Sequence, residues 1–283
     1  MSDKNLRVAF QGERGAYSEA AAVAFCGDTV QTLPCNDFDY VFEAVAIGTA
    51  DRGMLPIENS LAGSIHRNYD LLLRYDLHIV GEIQIPIAHQ LIAQPGVSLG
   101  DIKRVLSHPQ ALAQCEHSIS QLLPQAERVV TYDTAGSIKM IKEENIRDGA
   151  GLASTHAAAI YGMNILHPDI QDDPENYTRF VVVAPQPVQP EGEVKTSIVF
   201  SMKSVPGALF KCLAVFALRD IDLAKIESRP LQGVRRAQGQ RWEYFFYIDF
   251  IGHLKEERCH NALNHLRELT SYLRVLGSYP RGV

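Results

Sequence analysis

The stretch Glu175-Asn176-Tyr177-Thr178-Arg179-Phe180-Val181-Val182-Val183-Ala184, followed by Pro185-Gln186-Pro187-Val188-Gln189-Pro190-Glu191-Gly192-Glu193, divides this chain. Its first half reads as a polar turn that ends in a threonine and an arginine, then an apolar strand over 180–184. Its second half carries proline at every second or third position, which favours an extended, semi-rigid spacer. A hydroxyl and a guanidinium therefore sit together at a loop-to-strand junction just before a tether. Arg179 can bind a carboxylate through two parallel hydrogen bonds. Thr178 can donate or accept one beside it. Taken alone, a polar turn with a surface arginine accounts for the same letters.

Upstream of the spacer, short apolar strands alternate with helical patterns, the sign of parallel α/β structure. A strand over 6–10 precedes Gly12-Glu13-Arg14-Gly15 and a helix over 18–25. Strands over 53–56, 104–107, 129–132 and 151–153 precede helices over about 64–74, 109–122, 134–145 and 155–161. Each junction carries Ser, Thr, Asp or Asn at an N-cap, or Pro in the first turn. In open α/β sheets ligands bind beyond the carboxyl ends of the strands, where helix N-termini point. Free N–H groups and the helix dipole favour anions there. A site that collects these junctions suits a small anion, although each cap taken singly only starts a helix. Downstream, a strand over 196–202 leads to a helix after Gly207 with Leu209, Leu213 and Phe216 on one stripe. A strand over 222–228, a loop with Gly233 and Gly239, a strand over 243–251, a helix over 255–271 and a strand over 273–279 follow. The order βαββαβ is that of a ferredoxin-like sandwich.

Composition narrows the function classes. Hydrophobic residues make up 46% and charged residues 21% of the 283, which describes an ordinary globular protein. A formal net charge of −6 lacks the electrostatic footprint of a general nucleic-acid binder. No apolar signal region precedes the first strand, and no apolar run reaches the ~18–20 residues that span a bilayer. A cytoplasmic protein with neither nucleic acid nor membrane as partner is expected. Cys26, Cys35, Cys115, Cys212 and Cys259 form no C-x-x-C, and the ten histidines form no H-E-x-x-H. Reduced thiols and no metal site follow. Gly12-Glu13-Arg14-Gly15 is too short for a dinucleotide fingerprint, but its amides are candidates for a carboxylate contact.

Four motifs stand out in residues 1–184. They are Pro56-Ile57-Glu58-Asn59-Ser60, the run from Ser107-His108-Pro109 through Gln114-Cys115, Asp133-Thr134-Ala135-Gly136-Ser137, and Asn176-Tyr177-Thr178-Arg179-Phe180. In this order they closely resemble prephenate dehydratase. Gly207-Ala208-Leu209-Phe210 and Glu227-Ser228-Arg229-Pro230 resemble the two phenylalanine-site motifs of the ACT regulatory domain that follows the catalytic domain in that family. The likeness runs over about residues 6–280. It implies an α/β catalytic domain over 1–184, two-lobed and similar to type-2 periplasmic binding proteins. Lobe 1 would be about 1–82 plus 165–184, and lobe 2 about 83–164. A Pro-rich linker over 185–194 and a ferredoxin-like ACT domain over 195–283 complete the expected division.

The resemblance also implies an activity: decarboxylating loss of water from prephenate to give phenylpyruvate, with no cofactor. Thr178 would donate to the departing ring hydroxyl, and Asn59, Ser107 and Gln114 would be the other catalytic positions. Arg179 would hold the pyruvyl carboxylate or brace the Thr178 turn. Glu58, Ser60, Thr134 and Phe180 are further candidates for substrate binding. Glu58 is favoured as an orienting or structural group, Ser107 and Thr134 double as helix caps, and Phe180 contacts the ring or lies in the core. His108 is read as structural and Cys115 as a small buried apolar residue. Gly207, Ala208, Leu209, Phe210, Glu227, Ser228, Arg229 and Pro230 would form an inhibitory L-phenylalanine site between paired copies. A homodimer through ACT domains, or a homotetramer, is expected. The family usually shows Val where Phe210 stands. With no extra helical segment before Leu6, a fused chorismate mutase is not expected. Arogenate dehydratase is the nearest competing reading, and a non-catalytic small-anion or amino-acid binding protein the other. Phenylalanine would favour a closed, inactive arrangement.

Overall fold

The computed structural model describes residues 6–203, 205–230 and 244–282. The expected glycine loop at Gly233 and Gly239, and the expected strand start at 243, lie outside them. The chain forms two compact units, Met1–Asp76 with Ile83–Val183 and Leu77–Glu82 with Ala184–Val283.

The first unit opens with β1 (Arg7–Gln11), α1 (Tyr17–Cys26), β2 (Gln31–Cys35) and α2 (Phe38–Ala46). β3 (Arg52–Asn59), β4 (Gly63–Ser64), α3 (His66–Arg74) and β5 (His78–Pro86) follow, the residues of β5 up to Glu82 being counted with the second unit. β1 is a short run of fully buried Val8, Ala9 and Phe10 and pairs in parallel with β2 and β3. The helices start where the side chains can cap them: the Asp37 carboxylate accepts from Tyr40 N at 3.1 Å to begin α2. The second sheet collects β6 (Gln90–Ala93), β7 (Arg104–Ser107), β8 (Glu127–Val130), β9 (Gly149–Ala153) and β10 (Asn164–His167), in the order β10-β6-β9-β7-β8. Between these strands run α4 (Pro109–Gln114), α5 (Glu116–Leu122), α6 (Thr134–Glu143) and α7 (Thr155–Tyr161). The chain then returns to the first sheet as β11 (Tyr177–Ala184), giving the order β2-β1-β3-β11-β5. Two crossover segments, 87–89 and 168–176, thus connect the sheets. Because β10 pairs with β6, the second lobe extends to His167 before the chain leaves it.

Three local expectations change. The turn before Phe180 is already strand: Thr178 and Arg179 stand opposite Asn59 and Glu58 in an antiparallel register, with a bulge before Phe180. A partner strand far away in sequence overrides the polar letters there. The helix expected over 109–122 is two helices, broken at Cys115, whose backbone lies at φ −120° and ψ 9°. The sheets are also not wholly parallel, since β11, β6 and β10 run antiparallel to their neighbours.

The second unit contains β12 (Val194–Ser201), α8 (Ala208–Ala217), β13 (Leu223–Pro230), β14 (Tyr244–Ile251), α9 (Glu257–Leu269) and β15 (Tyr272–Pro280). Its antiparallel sheet has the order β13-β14-β12-β15. Ile198, Phe200, Phe246, Ile248 and Phe250 pack with Phe216, Leu263 and Leu266 of the two helices. Lys195 and Glu82 form a buried ion pair at 2.6 Å, and Glu82 also accepts from Gly282 N at 2.9 Å. Among the described residues no helix is long and apolar enough to cross a membrane.

Candidate active site

A cavity of about 400 Å³ in the first unit is lined by strands of the first sheet and by helices and loops that follow strands of the second. Gln11 and Gly12 come from the end of β1, Asn59 from the end of β3, and Thr178 and Phe180 from β11. The first turns of α1, α2, α4 and α6 open onto it through Ser18, Phe38, Gln110 and Thr134. Side chains cap three of these helices: Asp37 on α2, His108 Nδ1 on α4 and Asp133 on α6. α1 has Ala16 at its N-cap and no side-chain cap; Glu19 N turns back to Ala16 O, which leaves the Tyr17 and Ser18 amides for another acceptor. No lysine or arginine is among the lining residues.

A polar network runs along one wall. Asn59 Nδ2 lies 3.0 Å from Thr178 Oγ1, 2.7 Å from Asn176 Oδ1 and 3.0 Å from Tyr177 O. Asn59 Oδ1 accepts from Leu61 N at 3.1 Å and Ala62 N at 2.9 Å, which locks the orientation of its amide. Thr178 Oγ1 therefore accepts, and its own proton has no acceptor among the described residues. Gln114 Oε1 accepts from Asn176 Nδ2 at 3.1 Å, and Gln114 Nε2 faces Asn59 Oδ1 at 3.5 Å. His89 Nε2 also meets Gln114 Oε1, at 3.1 Å, while His89 Nδ1 lies 3.0 Å from the Tyr17 hydroxyl. Burial lowers the His89 pKa, with the Gln114 contact opposing it, and raises that of Tyr17 well above its ordinary value. Both groups are therefore neutral near pH 7.

The structure brings together Asn59, Gln114, Thr134, Thr178 and Phe180 at the cavity. Others stand elsewhere. Ser107 is fully buried and donates to Leu152 O at 2.8 Å, tying β7 to β9; it does not line the cavity. Ser60 Oγ donates to Glu175 O at 2.9 Å and accepts from Tyr177 N at 3.0 Å, so it pins the approach to β11. Arg179 and Glu58 do not line the cavity either. Alternation along β11 gives one face to Thr178 and Phe180 and the other to Arg179, opposite Glu58 on the neighbouring strand. Of the two roles expected for Arg179, bracing fits this placement. Three of the four amides of the glycine loop are spent inside the protein: Gly12 N on Cys35 O, Glu13 N on Asp133 Oδ2 and Gly15 N on Glu19 Oε2. His108 caps a helix and Cys115 is buried, its thiol pushed up to about 12 by burial first and Asp172 second.

Tyr17 and His89 carry no spacing signal in the sequence, each standing outside any motif, and Asn176 lies within the 176–180 motif without a signal of its own. Asp133 is held by two backbone donors, Gly136 N and Glu13 N, while burial raises its pKa. Its neighbour Glu13 accepts from Tyr132 O–H and Lys139 Nζ, each at 3.1 Å, and so joins the β1 loop to α6. Among the described residues no group of His, Cys, Asp and Glu could hold a metal ion.

In the second unit, α8 begins at Ala208 with no side-chain cap, and Gly207 precedes it at φ 77°, a conformation that favours glycine. Leu209 packs against the core, whereas Phe210 is 75% exposed. Glu227, Ser228, Arg229 and Pro230 lie on β13, an outer strand of the sheet.

Comparison with known proteins follows the same outline. A family model described as prephenate dehydratase matches residues 8–188. The chain is 54% identical over 280 residues to "Arogenate dehydratase/prephenate dehydratase 2, chloroplastic" of Arabidopsis thaliana, across 97% of this chain and 73% of that protein. It is 53% identical over 285 residues to "Arogenate dehydratase 2" of Petunia hybrida, across 97% and 72%. Among solved structures, the prephenate dehydratase of Arthrobacter aurescens in complex with L-Phe is 35% identical, with a TM-score of 0.88 over 98% of this chain and 90% of that one.

Proposed function

This chain belongs to the prephenate dehydratase family, and from that premise we propose that it removes water and CO₂ from prephenate to form phenylpyruvate, under inhibition by L-phenylalanine. Its fold is the family's two-lobed α/β unit, of the type-2 periplasmic-binding-protein kind, followed by a ferredoxin-like ACT unit. The family's enzymes are carbon–oxygen lyases.

One observation carries the reading: the Thr178 hydroxyl accepts from Asn59 at 3.0 Å and keeps its proton for the cavity. In the proposed reaction the ring C–CO₂ bond breaks, its electron pair completes the aromatic ring, and the ring hydroxyl departs. Thr178 O–H donates to that oxygen as negative charge develops on it, and the proton that completes water comes from solvent. A threonine is too weak an acid to transfer its proton first, so the donation acts in concert with bond cleavage. Gln114 and Asn59 orient neutral polar groups toward the substrate, and the uncapped first turn of α1 supplies amides for a carboxylate. Ser107 ties β7 to β9 and Arg179 stands opposite Glu58, so neither is assigned a direct part in the reaction.

Arogenate carries an amino group in place of the keto group and undergoes the same elimination. The names of the plant relatives support that substrate as well as prephenate. Purified protein should be given each substrate separately, with phenylpyruvate and phenylalanine quantified as the respective products. We expect prephenate to be turned over with the higher kcat/KM; a tenfold preference for arogenate would reassign the substrate, and no product from either would end the lyase reading.

Inhibition by L-phenylalanine is supported by the ligand of the Arthrobacter protein and by the uncapped start of α8 at Gly207. Glu227 to Pro230 would supply the polar partners of the amino group, from a second copy of the chain. Calorimetry with L-phenylalanine and light scattering should give saturable binding by a dimer or tetramer. No heat at millimolar ligand would leave the second unit an assembly module.

A further inference from the structure

We infer that His89 is a positioning residue that sets the hydrogen-bond polarity of the Gln114–Asn59–Thr178 wall, with Tyr17 holding its ring; this rests on the reading of that wall as the dehydration site.

His89 is 2% exposed and lies in the crossover between the two sheets of the first unit. Its backbone is fixed to the other crossover: His89 N donates to Gln171 Oε1 at 2.8 Å, and Ile170 N donates to His89 O at 2.8 Å. Its ring makes two polar contacts and stands edge-on to Tyr17, with centroids 5.5 Å apart and planes at 81°. The protons can be placed by elimination. Gln114 Oε1 already accepts from Asn176 Nδ2, so it is the carbonyl oxygen and can only accept from His89 Nε2. The single proton of the neutral ring is then on Nε2, and Nδ1 is an acceptor. Tyr17 O–H donates to Ala88 O at 2.8 Å and lies 3.0 Å from Nδ1, so its single proton is shared between two acceptors, the nearer being the carbonyl.

Every link then points the same way. From the ring onward His89 donates to Gln114, Gln114 toward Asn59, and Asn59 to Thr178, with the Tyr17 hydroxyl packed against Nδ1. The last hydroxyl in the series is left with a free proton at the cavity. Without the His89 donor, the Gln114 amide loses one of the two groups that keep its oxygen turned away from Asn59. A flipped Gln114 would set its carbonyl against Asn59 Oδ1, two acceptors face to face. The series also crosses between the lobes, since Tyr17 lies on α1 and Gln114 on α4. His89 thereby makes the orientation of the wall depend on how the lobes meet.

Three variants test this with the full chain. His89→Gln places a side-chain amide donor near the position of Nε2; His89→Leu removes both ring nitrogens; Tyr17→Phe keeps the edge-on ring and removes the phenol. We expect His89→Leu to lower kcat roughly 10- to 100-fold with KM within threefold, and His89→Gln to recover kcat to within about fivefold of wild type. Tyr17→Phe should lower kcat less than His89→Leu. In ¹⁵N spectra of the wild type at pH 7.5, His89 should give the Nε2–H tautomer, a readout independent of turnover. The proposal is overturned by the Nδ1–H tautomer, by His89→Leu with kcat within twofold, or by His89→Gln as impaired as His89→Leu. If His89→Leu does not fold, the tautomer together with the His89→Gln and Tyr17→Phe rates decides. Wild-type protein inactive on both substrates would sink the dehydratase reading instead, and the tautomer would still judge the hydrogen-bond polarity.

Discussion

Replacing Thr178 by valine isolates its proton. Thr178 is 7% exposed, and valine keeps its shape while exchanging the hydroxyl for a methyl. The partner left behind is not orphaned, because Asn59 Nδ2 still has Asn176 Oδ1 at 2.7 Å and Tyr177 O at 3.0 Å. The structural cost is therefore that of one hydrogen bond, about 1 kcal/mol, which moves the unfolding midpoint by only a few degrees. The catalytic cost is larger. A positioned proton donor to a leaving group is worth ~10²–10⁴ in rate, or roughly 3–5 kcal/mol at 1.36 kcal/mol per tenfold. We expect Thr178→Val to lower kcat by that factor with KM within about threefold, since the lost interaction belongs to the transition state. Thr178→Ser keeps the donor and should stay within roughly tenfold of wild type. The assay is initial-rate formation of phenylpyruvate, with thermal unfolding of each variant measured in parallel. A valine variant within tenfold of wild type, folded and at saturating substrate, would refute the role assigned to Thr178.

Three other perturbations probe the same framework. Glu82→Gln or Lys195→Met breaks the 2.6 Å ion pair of the second unit, whose side chains are 1% and 8% exposed, and should cost about 3–5 kcal/mol in urea unfolding; the double variant should recover most of it, and additive losses would contradict the pairing. Glu13→Gln weakens the bridge to Tyr132 and Lys139; a partly exposed ion pair is worth roughly 0.2–1 kcal/mol, so KM should rise by about fivefold or less, less so in high salt, while kcat holds. His89 has its pKa depressed by burial, with the Gln114 contact opposing, so its contribution to stability is present above the unfolded value near 6.5 and is lost as pH falls through the lower folded value. Urea midpoints should therefore drop below about pH 6.5, more steeply in wild type than in His89→Gln; equal slopes would remove His89 as the cause.

Much of this architecture was legible because it is written locally. The βαββαβ order of the second unit follows from apolar stripes at helical and strand spacing, and the starts of α4, α6 and α7 from Pro109, Asp133 and Ser154. The site was legible only as a set of motifs carrying a family resemblance. Their geometry was not, because it depends on pairing across more than a hundred residues. The register that sets Thr178 opposite Asn59 also turns Arg179 toward Glu58 and away from the cavity. An arginine beside a threonine in sequence is thereby on the other face in space, and no local signal separates these outcomes. Tyr17 and His89 were hidden for the same reason: their meaning lies in Gln114, which reaches His89 from α4, and in His89, which meets Tyr17.

The charge of the cavity gives the arrangement its chemical sense. A reaction that expels CO₂ gains from any environment that holds the departing carboxylate less firmly than the transition state. A lysine or arginine clamped on that group would stabilise the reactant, and none is among the lining residues. Helix first turns are a milder anchor: each presents partial charge and fixed amide donors, concentrated in one turn. Of the four first turns at the cavity, three are capped by Asp37, His108 and Asp133, and that of α1 holds the buried Glu19 carboxylate on Gly15 N while leaving the Tyr17 and Ser18 amides without an acceptor among the described residues. In the proposed reaction the carboxylate that must stay bound would take that turn, while the ring faces the neutral wall of Asn59, Gln114 and Thr178. The departing carboxylate then meets no lysine or arginine among the lining residues, and the Thr178 proton is free to assist the other leaving group.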